Sequence, residues 1–226
     1  MSNLLQPIGP QSTLADLAAT RAGASRVFHR HDLDFCCHGR VSLAEACAKK
    51  GLDVDALVRA LEDEMPLAPG FERWDERPLA DLIAHLLEQF HEAHRAEIPR
   101  LLEMARKVEA VHATKSTCPH GLADHVARIG DELEMHMQKE EQILFPMFLA
   151  GRGRMASMPI HVMEEEHEDH GRNLERLRAL AHGYAPPDDA CGTWRALYLG
   201  VRELDEQLMQ HIHLENNVLF PRAVRG

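Results

Sequence analysis

Residues 136–146 read HMQKEEQILFP and residues 211–221 read HIHLENNVLFP. The two copies share His, Glu, Leu, Phe and Pro at the same offsets, and an internal repeat of this kind is read first. Each copy sets a His and a Glu four residues apart, His136 with Glu140 and His211 with Glu215. On a helix that spacing is about 40° of rotation and roughly 6 Å of rise, so both side chains point the same way. The flanking apolar residues make that direction the core. Around the first copy the stripe runs Val126, Ile129, Leu133, His136, Glu140, Ile143, Met147, and around the second Val201, Leu204, Leu208, His211, Glu215, Val218. A His and a Glu thus take slots that periodicity reserves for leucine. A buried carboxylate costs several kcal/mol unless it is paired or bound to metal. Two equivalent pairs on two helices point to a metal site.

Helical periodicity extends outward from the repeat. Long amphipathic helices are expected over about 79–112, 121–149, 159–182 and 190–217, broken by GRGRMASMP and GYAPPDDAC. With almost no strand signal, this predicts an all-α fold: an antiparallel four-helix bundle over residues 79–226. Residues 1–65 read as a small helical domain, with Ser12 or Thr13 starting its first helix and Ser42 capping a later one. Residues 66–78, PLAPGFERWDERP, form the expected linker.

Composition narrows the function. At 226 residues the chain holds a bundle plus something smaller, and a net charge of −11 argues against nucleic acid or an anionic membrane. With no apolar run of membrane-spanning length and no signal-like start, a cytoplasmic protein is expected. Five cysteines do not make a secreted disulfide framework. Sixteen His exceed the 11 aromatic residues, which fits imidazole ligation of transition metals.

The repeat supplies only two His and two Glu, so the other helices must contribute. On the third helix the stripe Ile160, Met163, His167, His170, Leu174 turns both histidines inward. On the first, with Ile83, Leu87, Phe90, Ile98 and Leu101 as core, His94 falls near the centre of the stripe, His91 at its edge and His85 on the far side. His112, His120 and His125 belong near a bundle end, and His29, His31, His38, His182 and His213 are expected to be exposed. Imidazoles with two bridging carboxylates suit iron best, with manganese and zinc as alternatives.

DFCC at 34–37, FHEAHR at 90–95, EEEHED around His167 and the two copies of the repeat resemble the repair of iron centres family. The resemblance covers essentially the whole chain. It implies a hemerythrin-like bundle preceded by a cysteine-pair domain, and a protein that repairs iron–sulfur clusters damaged by nitrosative or oxidative stress by donating iron. It implies two iron ions held by His91, His136, Glu140, His167, His211 and Glu215, with Glu140, Glu215 and an oxo or hydroxo group as bridges. That choice takes His91 over His94 and leaves His94 and His170 as inward-facing neighbours. Cys36 and Cys37 match the family's cysteine pair and are the candidate catalytic thiols. Adjacent cysteines close a disulfide only with strain, which favours transient thiol or metal chemistry; Cys47, Cys118 and Cys191 are expected to be structural. The family usually continues the pair with glycines, where this chain has His38 and Gly39. The partners implied are damaged iron–sulfur proteins and the small ligands NO or O₂, with a homodimer left open. Two further readings stand beside repair: an O₂ or NO carrier or sensor, and a di-iron NO reductase.

Overall fold

The computed structural model describes residues 7–65 and 70–226, so part of the expected linker, residues 66–69, lies outside the described residues. By packing, the chain divides into two units. One takes in the chain up to Pro78 together with Ile212–Pro221; the other takes in Leu79–His211 with Arg222–Gly226. Among the described residues there is no strand, only an isolated bridge between Thr13 and Ser42.

In the first unit α1 (Leu14–Thr20), α2 (Ala24–Arg30), α3 (Leu43–Lys50) and α4 (Val54–Glu64) surround a core that includes Leu17, Val27, Phe28, Phe35, Leu43 and Leu61. Capping explains where three of them begin. Thr13, Ser42 and Asp53 each accept a hydrogen bond from a first-turn amide, those of Asp16, Glu45 and Asp55. Glu64, at the end of α4, takes Arg26 at 2.9 Å and Arg30 at 2.6 Å and so ties α4 to α2. Those hydrogen bonds outweigh its burial and hold its carboxyl below the ordinary range.

The second unit is built on the bundle helices. The first covers residues 79–111, the second 122–149, the third Ser157–Leu180 and the fourth 192–225, of which Ile212–Pro221 counts with the first unit. Leu82, Leu86, Leu101, Val126, Ile129, Leu133, Leu174, Leu177, Trp194 and Leu197 form its apolar interior. At Gly200 the first and fourth helices come so close that a Cβ would sit 2.5 Å from Leu101 Cδ2. The fourth helix runs on to Arg225, past the expected stop near residue 217 and through Pro221. No helix among the described residues is long and apolar enough to cross a membrane.

Candidate metal centre

Three of the four bundle helices contain a π turn: Leu87–His91, Glu140–Leu144 and Leu214–Leu219. Each is closed by an amide reaching five residues back, Glu92 to Leu87, Phe145 to Glu140 and Phe220 to Glu215. The widened turn inserts one residue into the helical count and rotates everything beyond it by about 100°. It therefore overturns part of the periodic reading. Ile143, expected in the core, is 53% exposed, and Leu144, Phe145 and Phe148 take the interior instead. Leu87 and Met147 are only half-buried. On the first helix His91 and His94 are both inside, three residues apart and so on one face of the regular helix that follows the π turn. In the repeat the cause is legible. Pro146 and Pro221 have no amide to donate, and a proline ring in a regular helix collides with the carbonyl four residues back. The first helix carries no comparable signal near residue 87.

The turns deliver a polar cluster into the core. His91, Glu140, His211 and Glu215 each present a ligand atom within 4.8 Å of the others, and so do His136, Glu140, His167 and Glu215. Glu140 and Glu215 belong to both groups. Glu215 lies one turn beyond His211 on the same helix. The six residues are at most 2% exposed, and both carboxylates are wholly buried. Glu140 Oε2 stands 3.4 Å from His91 Nε2 and 3.5 Å from His136 Nε2, and His136 Nε2 is 3.1 Å from His167 Nε2.

Behind the cluster, acidic residues orient the imidazoles. His91 Nδ1 is 2.8 Å from Glu141 Oε1, and His136 Nδ1 is 2.9 Å from Glu166 Oε2. Each acid also meets a cation: Glu141 pairs with Arg95 at 2.8 Å and Glu166 with Lys139. The His136 hydrogen bond, joined by Lys139, pulls the Glu166 carboxyl down to about 2. Burial raises the Glu141 carboxyl, but Arg95 and His91 together leave it below the ordinary range. An ionised carboxylate only accepts, so Nδ1 of each histidine is the donor and Nε2 faces the cluster with its lone pair.

The remaining histidines are sorted by burial. His94 and His170 are buried as expected but fall outside both groups, against His211 and His136 respectively. His125 is buried at the bundle end, donating Nε2–H to the Asn173 carbonyl at 2.8 Å. His112 packs at a tilt against Trp194 and reaches Cys191 at 3.3 Å. His213 corrects the expectation of exposure. It is wholly buried, with Nδ1 3.3 Å from the Phe35 carbonyl and its ring against Phe35, and burial pushes it down to about 4.

His213 belongs to a clamp on the cysteine loop within the first unit. Asn217 donates its amide to the Cys36 carbonyl at 3.0 Å and Asn216 does so at 3.3 Å. The repeat is thus divergent for a reason. Gln138, Glu141 and Gln142 in the first copy correspond to His213, Asn216 and Asn217 in the second, where they hold the loop. The loop itself closes on Asp34, whose Oδ1 accepts the amides of Cys36 at 3.1 Å and Cys37 at 2.9 Å. A side chain at Gly39 would bring a Cβ to 2.3 Å from the Phe35 carbonyl, so glycine is required there. All five cysteines are free, and Cys191 is exposed while Cys47 and Cys118 are buried.

Comparison with known proteins places the chain. Residues 82–223 match the family described as Hemerythrin HHE cation binding domain, and residues 10–65 match a domain of unknown function, DUF542. The chain is 50% identical over 214 residues to the iron-sulfur cluster repair protein YtfE of Pectobacterium carotovorum subsp. carotovorum, covering 95% of this chain and 97% of that relative. It is 49% identical over 214 residues to the namesake from Pectobacterium atrosepticum, with the same coverage. To the one from Musicola paradisiaca it is 48% identical over 216 residues, covering 96% and 97%. With its cation-binding domain over most of the bundle and relatives alike along nearly their whole length, the chain belongs to the family of hemerythrin-like iron-sulfur cluster repair proteins.

Proposed function

We propose that the bundle holds two iron ions and that the protein repairs iron–sulfur clusters damaged by nitrosative or oxidative stress by supplying iron to them. The observation that carries this reading is the sharing of Glu140 and Glu215 between two donor groups, each completed by two histidines. The donor set fits the metal. Two carboxylates buried together repel each other and lose their hydration, a cost of several kcal/mol each that cations between them offset. Mixed imidazole and carboxylate donors suit iron.

In this reading His91 and His211 would hold one ion and His136 and His167 the other, with Glu140 and Glu215 available to both. The iron supplies redox-active and transferable metal when bound. The residues around it do the rest: Glu141 and Glu166 fix the ligating face of His91 and His136, and the apolar bundle wall keeps bulk water away. Cys36 and Cys37 are the thiols assigned to the transfer, in a working division of residues 1–65, the linker 66–78 and the bundle 79–226. The proposed place of work is the cytoplasm.

The test is iron content with absorption spectroscopy, followed by reactivation of a cluster-damaged [4Fe–4S] enzyme. Two irons per chain and reactivation by the wild type, lost in Glu140→Leu, are the expected results. One iron per chain overturns the bridged assignment. Catalytic N₂O production without reactivation makes the protein an NO reductase instead.

A further inference from the structure

The cysteine loop brings together a second set of metal donors, made entirely by residues 34–38. Asp34, Cys36 and Cys37 present ligand atoms within 4.8 Å of one another. The Cys36 and Cys37 sulfurs are 3.7 Å apart. Two thiolates on one tetrahedral ion at a metal–sulfur distance of ~2.3 Å are separated by roughly 3.8 Å. Cys36 Sγ lies 3.3 Å from Asp34 Oδ1, against roughly 3.5 Å for a sulfur and an oxygen on the same ion. Two edges of a tetrahedron are therefore in place before any metal arrives.

The geometry points to a mononuclear divalent-metal site at Asp34, Cys36 and Cys37, separate from the histidine cluster and open at its fourth position. The metal class is a borderline transition ion such as zinc(II) or iron(II), which accepts thiolate and carboxylate together. Binding replaces the Cys36 thiol proton now directed at Asp34. Each thiol gives its proton to solvent, and the ion is left with two thiolates and one carboxylate. His38 Nδ1 stands 2.6 Å from Asp34 Oδ2 and orients the carboxylate from the outside.

The loop is preorganised as such a site requires. Asp34 is pinned by the amides of Cys36 and Cys37, and the carbonyls of Phe35 and Cys36 by Asn217. These bonds fix the backbone whether or not metal is present, so little ordering is needed on binding. The Asp34 and His38 side chains are 43% and 65% exposed, so an ion can come and go from solvent. Metal binding at this loop is independent of iron supply by the bundle.

The test adds cobalt(II) to the full-length, iron-loaded protein and follows the sulfur-to-cobalt charge-transfer band, which the thiol-free bundle cluster cannot produce. Wild type should take up one equivalent with that band. Cys36→Ser and Cys37→Ser should abolish it, and Cys191→Ser should leave it intact. Asp34→Asn still accepts the loop amides, so the fold is retained; its cobalt affinity should fall at least tenfold. A wild type without the band overturns the site. So does a band that survives Cys36→Ser or vanishes in Cys191→Ser.

Discussion

His91 donates from Nδ1 to Glu141 at 2.8 Å, and that one hydrogen bond decides which nitrogen of His91 faces Glu140. Glu141 follows Glu140 directly, so the π turn that sends one acid into the cluster sends its neighbour behind His91. Glu141→Ala should therefore release iron ~10- to 100-fold more readily to a chelator. Glu134 shares Arg95 but touches no cluster histidine, so Glu134→Ala should behave as wild type. Equal release rates for both variants would show that the Glu141 contact is incidental.

Replacing a bridging acid should separate metal binding from stability. Glu140→Leu removes a wholly buried charge and substitutes apolar volume. Without metal the variant should be more stable than wild type by about 1–4 kcal/mol, read as a higher melting temperature. The same variant should lose both irons, since Glu140 serves both groups. Retention of one tightly bound iron contradicts the shared role.

Acid should destabilise the bundle through His125. Burial lowers its pKa below the ordinary 6.5, against the hydrogen bond to Asn173 that raises it. Below about pH 6.5 the unfolded chain takes up a proton that the folded chain refuses, so stability falls as pH falls. His125→Leu should flatten the stability profile between pH 6.5 and the lowered value. Urea midpoints across that range measure the slope, and an unchanged slope removes His125 as its source.

The clamp on the cysteine loop predicts a reactivity change. Asn217→Ala removes donors to two carbonyls at a cost of about 1 kcal/mol for each net hydrogen bond. Cys36 is 3% exposed, and its hydrogen bond with Cys37, then burial and the charge of Asp34, hold its thiol well above the ordinary value. Loosening the loop should speed its alkylation several-fold while iron content stays the same. An unchanged alkylation rate shows that the Asn217 bonds do not limit access to Cys36.

The helices, their order and the inward pairs His136/Glu140 and His211/Glu215 were legible because apolar periodicity is a strong signal over long segments. It failed where the period itself changed. A 3.6-residue count places Ile143 inside, and the π turn at Glu140–Leu144 reverses that; it also prefers His94 to His91, whereas both are buried. His213 was misread for a different reason. It stands off the stripe that faces the bundle, and no local pattern announces that the other side of that helix is covered by Phe35. The Asp34 loop was readable as a turn, but the role of the acid was not, because it rests on hydrogen bonds rather than on composition.

The first unit is discontinuous in sequence, since Ile212–Pro221 belongs to it. This has a consequence for biosynthesis. A nascent chain that has emerged only as far as Pro78 contains every cysteine-loop residue but lacks His213, Asn216 and Asn217, which hold the Phe35 and Cys36 carbonyls. The thiol loop can therefore reach its final form only after synthesis has passed Asn217. By then every histidine and glutamate of the metal cluster is present in the same chain.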